Sequence, residues 1–287
     1  MRISEFYKPG TAVYSFEFFP PKTDAGAENL MKTVADLKEK VQPHFVSVTN
    51  GAGGSTQDRT LEVVSRIQNE LNITAMAHLT CVASTKGELC ESMRRLITEN
   101  VENILALRGD VPEGQDNFTP IAEGFGHASD LVDYLANNYF VDIGAACYPE
   151  GHPESPSQED DIKWVKHKYD LGANFFITQL FFDNKFYFDY VERAKAAGID
   201  GPIIPGIMPI TNLAQIERFT KMCGATIPTE LHERLQAAGD DPGAVMAVGI
   251  EQAISQCREL LDRGAPGLHF YTLNKSHATR SVLSALL

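Results

Sequence analysis

Near its start the chain reads Ser15-Phe16-Glu17-Phe18-Phe19-Pro20-Pro21, which overlaps the end of the first predicted strand, residues 13–18. Side chains alternate between the two faces of a strand. Phe16 and Phe18 therefore point one way, and Ser15 and Glu17 point the other. A carboxylate inside an apolar strand is costly to desolvate, and a structural one needs a buried cation as partner. The stretch predicts a buried strand that carries a functional acid near its end.

Short apolar runs alternate with amphipathic helical patterns along the rest of the chain. The predicted strands are 13–18, 44–49, 73–80, 102–107, 142–147, 174–179, 202–207 and 267–271. The predicted helices are 25–41, 58–71, 86–99, 128–139, 157–171, 184–198, 212–223 and 243–263. Eight strand–helix units predict an α/β fold, a (β/α)8 TIM barrel. A doubly wound open sheet is the alternative, because periodicity alone does not show whether the sheet closes.

The length of 287 residues is compatible with one large domain, and we expect a single catalytic domain over residues 1–287 without a regulatory domain. A further helical segment at 228–238 indicates an elaboration late in the barrel. A last helix is predicted at 276–287.

Composition limits the partners. A net charge of −13 and a pI of about 5.0 argue against binding to nucleic acid and to an anionic membrane surface. A local basic patch can still hold a small anion. The five cysteines contain no Cys-x-x-Cys pair, which argues against a disulfide framework and a structural zinc site. With no signal peptide evident and no apolar run of membrane-spanning length, we expect a cytoplasmic protein.

Polar and aromatic residues stand where the predicted strands end, which is where the active sites of such barrels lie. They are Glu17, Thr49, His78, Thr80, Arg108, Gly109, Asp110, Tyr148, Gln179, Pro209 and Tyr271. No metal-ligand spacing and no Gly-x-x-x-x-Gly-Lys pattern is present, so no metal site is predicted. The set favours a flat, polar, aromatic ligand. Taken singly, His78 can be structural, Tyr148 and Gln179 can cap the barrel mouth, and Gly51-Ala52-Gly53-Gly54 can be a flexible loop.

Several motifs together resemble the bacterial form of the 5,10-methylenetetrahydrofolate reductase family, over roughly residues 12 to 275. They are Ser15-Phe16-Glu17-Phe18-Phe19-Pro20-Pro21-Lys22, Asp58-Arg59-Thr60, His78-Leu79-Thr80-Cys81, Ala106-Leu107-Arg108-Gly109-Asp110, Tyr148-Pro149-Glu150-Gly151-His152-Pro153-Glu154, Pro205-Gly206-Ile207-Met208-Pro209 and His269-Phe270-Tyr271-Thr272-Leu273-Asn274. The resemblance implies a barrel with non-covalent FAD and a ping-pong reaction. In that reaction NADH or NADPH reduces the flavin, and methylenetetrahydrofolate then takes the hydride to become 5-methyltetrahydrofolate. It also implies a homo-oligomer that supplies methyl groups for methionine synthesis.

The resemblance assigns roles to individual residues. Glu17 matches the general acid that opens the imidazolidine ring, and Asp110 matches the carboxylate that contacts the pterin and acts near the flavin. The positions implied to hold FAD are Thr49, Asn50, His78, Arg108, Gly109, Asp110, His127, Ala128, Tyr148, His152, Asp161 and Lys168. The positions implied to hold substrate are Asp110, Gln179, Gln215, Phe219, Tyr271 and Lys275. Because Glu17 is buried and Asp110 is expected nearby, we expect a raised pKa for Glu17.

The sequence departs from the family pattern at a few positions. His127 stands in place of a Tyr, Trp164 in place of an Asn, Asn50 in place of a Tyr and Lys275 in place of an Arg, and the loop 111–127 is long. The choice between NADH and NADPH stays open, because no Gly-x-Gly-x-x-Gly fingerprint is present. Two other readings remain: a related flavin barrel that oxidises proline, and a non-catalytic barrel that binds flavin or folate.

Overall fold

A computed structural model describes residues 1–50, 54–82, 84–110 and 119–287. Within these ranges one parallel sheet contains nine strands. The strands are β1 (Val13–Phe18), β2 (Phe45–Val48), β3 (Thr74–Thr80), β4 (Asn103–Leu107), β5 (Asp142–Cys147), β6 (Phe175–Thr178), β7 (Ile203–Ile204), β8 (Gly206–Ile207) and β9 (Gly267–Tyr271). All match predicted strands, with ends shifted by one residue or so.

The barrel closes through β7 and β8, which are the two halves of the predicted strand 202–207. Pro205 divides them, because proline has no backbone N–H for the ladder. β7 pairs with β6, whereas β8 pairs with β9, and β9 pairs with β1. The Pro205 carbonyl accepts a bond from His269 N at 3.0 Å, which carries the pairing across the break. The TIM-barrel prediction is therefore confirmed, and the open-sheet alternative is wrong.

The helices follow the strands in the predicted order. They are α1 (Asp24–Val41), α2 (Gly54–Asn69), α3 (Lys86–Thr98), α4 (Ala128–Asn138), α5 (Gln158–Asp170), α6 (Asn184–Ala196), α7 (Leu213–Cys223), α8 (Thr229–Ala237), α9 (Pro242–Asp262) and α10 (Ser276–Leu286). Local signals fix their starts. For example, Thr85 and Glu88 form a reciprocal capping box at α3, and Asp241 caps α9 just before a proline at its first position.

Two apolar layers separate the inside of the barrel from its outer shell. Phe16 and Phe18 belong to the outer layer between the sheet and the helices, as the alternation of β1 predicts. Val13, Phe45 and Met76 belong to the inner layer. Ile3 joins this inner layer and is fully buried. The barrel is thus a packed core at one end, which leaves the other end for chemistry.

A short 3-10 helix (Ile3–Phe6) closes the end of the barrel away from the strand C-termini. Ile3 N donates to Asn103 Oδ1 at 2.9 Å, and Ser4 N and Oγ donate to the Asp142 carboxylate at 2.7 and 2.9 Å. Asn103 and Asp142 stand at the starts of β4 and β5. This short helix was not predicted from the sequence.

The predicted elaboration late in the barrel is α8, which lies between α7 and α9. A third apolar cluster contains Leu231 and Leu235 of α8, Ile216 of α7 and Val245 of α9. Phe219 and Tyr271 pack against it. This layer fixes the starts of α7 and α9 beside the mouth of the barrel.

Candidate active site

Glu17 lies at the end of β1 between two histidines. Its Oε2 is 3.4 Å from Nε2 of His78 on β3 and 3.4 Å from Nε2 of His269 on β9. The side chains of Glu17, His78 and His269 are 12%, 5% and 0% exposed. Ser15 Oγ lies 2.8 Å from the other ring nitrogen of His269. Of the two rings, His269 forms a hydrogen bond with the Glu17 carboxylate, whereas His78 Nε2 is buried without a hydrogen-bond partner.

His269 is not among the site residues predicted from the sequence. A signal was present, because β9 pairs with β1 so that Ser15 is opposite His269 and Glu17 is opposite Tyr271. Alternation on β9 then puts His269 and Tyr271 on the inner face with Ser15 and Glu17. That register was not known from the sequence.

The pKa of Glu17 is lowered, which contradicts the expectation of a raised value. Burial raises the pKa, but the opposing effects of His78 and of the hydrogen bond and charge of His269 outweigh it. Burial also lowers the pKa of His78 to about 4, so this ring is neutral at neutral pH. The expectation was wrong because it considered Asp110 and burial but not the two rings that face the carboxylate.

The loop after β9 is tied to the end of β1. The Glu17 carbonyl accepts from Thr272 Oγ1 at 2.6 Å and from Thr272 N at 3.3 Å. The Asn274 side chain bonds Phe19 N and O at 2.8 and 3.0 Å. Leu273 and Asn274 both have positive φ, which turns the chain sharply before Lys275 and α10. The predicted substrate residue Lys275 follows this turn directly, as the N-cap of α10.

Arg108, Gly109 and Asp110 follow β4 at the mouth. The Arg108 guanidinium binds both carboxylate oxygens of Glu154, at 2.5 and 2.7 Å. Gly109 has φ of +91°, and a Cβ there would lie 2.4 Å from Val82 Cγ1, so only glycine fits. Asp110 is exposed. Burial, and after it the charge of Asp110, raise the pKa of Tyr148 to about 12, so Asp110 acts on the Tyr148 side of the mouth.

Four of the predicted FAD residues lie together beside β5. The Tyr148 and His152 rings meet edge to face, with centroids 4.6 Å apart. Lys168 Nζ donates to the Ala146 carbonyl at 2.6 Å, and its pKa is lowered by burial although Asp161 opposes this. Burial raises the pKa of Asp161, whose Oδ2 is buried without a hydrogen-bond partner. This group combines a half-buried lysine, a buried acceptor and an aromatic surface.

Thr49 and Asn50 follow β2 next to His78. Thr49 N donates to the Phe18 carbonyl at 2.9 Å, which keeps the ends of β1 and β2 in register. Asn50 Nδ2 donates to Thr80 Oγ1 at 2.7 Å, while Asn50 Oδ1 is buried without a partner. Gly51, Ala52 and Gly53 of the predicted loop lie outside the described residues, and Gly54 begins α2.

His127 and Ala128 stand at the start of α4. Ala128 is its first residue, and His127 is its exposed N-cap, whose backbone N–H donates to Asp130 Oδ2 at 2.9 Å. The His127 ring lies parallel to the exposed Trp164 ring, with 6° between the planes and 6.2 Å between the centroids. Two of the positions that depart from the family pattern are therefore neighbours. Residues 111–118 of the predicted long loop are outside the described ranges.

Apart from Asp110, which follows β4, the predicted substrate residues lie at or after the sixth, seventh and eighth strand positions. Tyr271 OH donates to the Thr178 carbonyl at 2.6 Å, and Gln179 Oε1 accepts from Leu180 N at 2.8 Å. Gln215 lies in the first turn of α7, one turn before Phe219. Gln215 and Lys275 line one cavity. Glu17, Gln179 and Tyr271 are thus at the mouth, and Gln215 and Lys275 are at its rim.

Among the described residues, no cluster of three or more His, Cys, Asp or Glu side chains has a geometry that could hold a metal ion. No helix there is long and apolar enough to cross a membrane.

Comparison with known proteins identifies the family of this chain. A family model described as methylenetetrahydrofolate reductase matches residues 2–287. The chain belongs to the methylenetetrahydrofolate reductase family. The 5,10-methylenetetrahydrofolate reductase of Escherichia coli is 37% identical over 272 residues, which are 95% of this chain and 90% of that protein. Methylenetetrahydrofolate reductase (NADH) 1 of Arabidopsis thaliana is 38% identical over 296 residues, 99% of this chain and 50% of that protein. The chain thus spans about half the length of the plant relative.

Solved structures share the barrel. An uncharacterized protein from Clostridium thermocellum, described as binding two copies of 5-methyl-5,6,7,8-tetrahydrofolic acid, matches with a TM-score of 0.63 and 18% identity, covering 96% of this chain and 94% of that one. Dihydropteroate synthase from Xanthomonas albilineans matches with a TM-score of 0.54 and 12% identity, covering 97% and 94%. At these identities the likeness shows a common fold.

Proposed function

We propose that this protein reduces 5,10-methylenetetrahydrofolate to 5-methyltetrahydrofolate. The electrons come from NADH or NADPH through non-covalently bound FAD, in a ping-pong sequence at one site. The observation that carries the proposal is Glu17, a carboxylate buried at a strand end within 3.4 Å of two histidines. Family membership and the name of the Escherichia coli relative support the same reaction.

The residues beside β2 and β5 fit FAD. Asn50 Oδ1 and Asp161 Oδ2 are buried acceptors without a partner, and the hydroxyl groups of a ribityl chain are donors that would satisfy them. Arg108 and Lys168 supply positive charge suited to a pyrophosphate. When bound, FAD supplies the hydride chemistry, and the protein holds and orients the reactants.

Glu17 supplies the proton that opens the imidazolidine ring of the substrate, and the resulting iminium accepts the hydride. A general acid must hold its proton at the working pH, and the lowered pKa of Glu17 opposes this. Burial is the effect that raises this pKa, and a planar ligand over the mouth adds to the burial. We therefore infer that Glu17 takes up its proton as the folate binds.

Asp110 and Gln179 orient and stabilise the substrate. Asp110 is a carboxylate at the mouth, where it accepts hydrogen bonds from the pterin and attracts the cationic iminium. Gln179 carries an amide that can pair with either the nicotinamide carboxamide or the pterin edge. One set of residues then serves both substrates in turn, as a ping-pong reaction at a single site requires.

We further propose that the protein acts in the cytoplasm as a homo-oligomer and feeds methionine synthesis, as the family resemblance implies. The direct test of the reaction is an anaerobic incubation with methylenetetrahydrofolate and a nucleotide deuterated at the transferable position. The proposal requires that 5-methyltetrahydrofolate forms. Its methyl group carries the deuterium unless the label exchanges with solvent while it is on the flavin. Failure to form methyltetrahydrofolate with either nucleotide, in protein supplied with FAD, would exclude this function.

A further inference from the structure

His269 is fully buried on the inner face of β9, and each of its two ring nitrogens faces a polar group of β1. Nδ1 lies 2.8 Å from Ser15 Oγ, and Nε2 lies 3.4 Å from Glu17 Oε2. The ring stacks on Phe45, with 21° between the planes, and meets the Tyr271 ring edge to face. This packing holds the imidazole in one orientation, so a change at one nitrogen affects the partner of the other.

The hydrogen atoms of these groups determine which ring nitrogen is protonated. The Ser15 hydroxyl has one hydrogen, and it lies 3.4 Å from the Leu268 carbonyl, which can only accept. When Ser15 donates to that carbonyl, Nδ1 of His269 must donate to Ser15 Oγ. Nε2 then presents a lone pair to the Glu17 carboxylate, and two acceptors repel unless a proton lies between them. The reverse arrangement, in which Ser15 donates to Nδ1, gives up the bond to Leu268.

The first arrangement binds one more proton than an ionised carboxylate and a neutral ring. His78 on β3 and Tyr271 on β9 are the described titratable groups that face the pair. Burial lowers the pKa of His78 to about 4, so this ring is neutral at neutral pH. Burial also holds the pKa of Tyr271 well above its ordinary value, and its hydroxyl donates to the Thr178 carbonyl at 2.6 Å. The extra proton is therefore shared between Glu17 Oε2 and His269 Nε2.

We propose that His269, oriented by Ser15, stores the proton that Glu17 passes to the folate, so that both are positioning residues. Their role rests on the proposed function, because the ring opening of a folate is the step that consumes a proton. As the folate covers the mouth, the proton moves from Nε2 to Glu17 Oε2 and then to a nitrogen of the imidazolidine ring. The C–N bond at that nitrogen breaks and leaves its electron pair there, while the other ring nitrogen forms the C=N bond of the iminium. His269 is left neutral and Glu17 ionised, and the pair takes a proton from solvent after the product leaves.

Nitrogen NMR of the FAD-loaded protein with isotope-labelled histidine shows directly which nitrogen of His269 is protonated. Protonated and unprotonated ring nitrogens have well-separated shifts, and the signals that vanish in His269→Gln belong to this ring. We expect Nδ1 to be protonated in the wild type, with or without a proton on Nε2. In Ser15→Ala the acceptor is gone, so the proton should move to Nε2. A wild type protonated at Nε2 alone would overturn the proposal, because the ring would then donate to an ionised Glu17.

The kinetic test compares Ser15→Ala with the matched control Ser47→Ala. Ser47 is a buried residue of β2 opposite Glu17, and its Oγ has no hydrogen-bond partner among the described residues. We expect Ser15→Ala to slow the folate half-reaction about 10- to 100-fold, the contribution of one hydrogen bond to a charged group, while reduction by NADH or NADPH is unchanged. The folate rate should also decline at a lower pH than in the wild type, since the pair loses a bond that favours its protonated form. Ser47→Ala should match the wild type in each measurement.

Two kinetic results would overturn the proposal. One is an equal folate rate in Ser15→Ala and Ser47→Ala. The other is a loss in Ser15→Ala that is the same in both half-reactions and leaves the pH dependence in place, which would mean that Ser15 only supports the barrel. If Ser15→Ala does not fold, the wild-type spectrum decides alone. That spectrum needs no turnover of folate, so a protonated Nδ1 in a protein that reduces no folate would keep the shared proton and exclude the proposed reaction.

Discussion

The substitution Glu17→Gln keeps the shape of the side chain but removes its charge and its ability to carry a proton. The backbone carbonyl of residue 17 still binds Thr272, so the end of β1 should stay in place. His78 and His269 would lose the carboxylate 3.4 Å away from each ring. Because the lowered pKa of Glu17 means that the folded protein favours the ionised carboxylate, a neutral amide of equal size should cost some stability but leave the barrel folded. The variant should fold and retain FAD.

The two half-reactions should respond differently to this change. Reduction by NADH or NADPH needs no proton from Glu17, so its rate should stay within about threefold of the wild type. Reoxidation by methylenetetrahydrofolate should slow by about 10²–10⁴, the usual contribution of a positioned proton donor. Stopped-flow absorbance of the flavin measures each rate separately. Glu62 is an exposed carboxylate on α2, so Glu62→Gln serves as the control for the loss of one carboxylate outside the site.

Glu17 should also give the folate half-reaction a distinct pH dependence. If folate binding raises the pKa of Glu17, the wild-type folate half-reaction should slow as pH rises through the pKa of the bound complex, and Glu17→Gln should lack this dependence. Equal losses in both half-reactions would instead mean that Glu17 supports the flavin or the barrel. An unchanged folate rate would mean that the proton comes from another group.

Three further predictions follow from other contacts. Asp110→Asn removes a negative charge at the mouth, so the reduction potential of the flavin should rise while the folate half-reaction slows roughly tenfold or more. The potential is measured by equilibration with a redox dye, and a lower potential in the variant would contradict the role of Asp110. Arg108→Ala should weaken FAD binding about 10- to 100-fold. Glu154→Gln removes the negative charge that competes with a pyrophosphate for the guanidinium and should tighten FAD binding about two- to fivefold. Fluorescence titration of FAD would refute this assignment if both variants shifted the affinity in the same direction. The pKa of His78 is about 4 in the folded protein, against an ordinary value of 6.5, so the unfolded chain takes up this proton first as the pH falls. The free energy of unfolding should therefore fall by about 3 kcal/mol from pH 7 to pH 4. Denaturant titrations should show a weaker pH dependence of stability for His78→Gln, and an equal pH dependence in both proteins would exclude this role.

Most of the architecture could be predicted from the sequence because strand and helix periods are local properties. The predicted strands and helices all appear, and β1 has the alternation that its residues indicate. The division of the seventh strand into β7 and β8 at Pro205 could not be predicted, because the sequence around this proline is compatible both with a bend and with one continuous strand. The Ile3–Phe6 plug was missed, since four residues are too few to show a period and its partners Asn103 and Asp142 are distant in sequence.

The site was predictable as a set of strand-end residues, but its electrostatics were not. The identity of Glu17 as a buried inner-face acid follows from alternation on one strand. The sign of its pKa shift depends on which rings face it, and that depends on the pairing of β1 with β9 and on the position of His78 on β3. Likewise, the pairing of Arg108 with Glu154 joins two loops whose distance the sequence does not give.

The central claim is that a flavin at this barrel mouth passes electrons from a pyridine nucleotide to methylenetetrahydrofolate. The most direct measurement is an anaerobic visible spectrum of the purified protein during sequential addition of nucleotide and folate. We predict a yellow protein that NADH or NADPH bleaches with one equivalent per flavin, and whose colour methylenetetrahydrofolate then restores. A protein that neither contains nor takes up FAD, or a reduced flavin that methylenetetrahydrofolate does not reoxidise, would contradict the account.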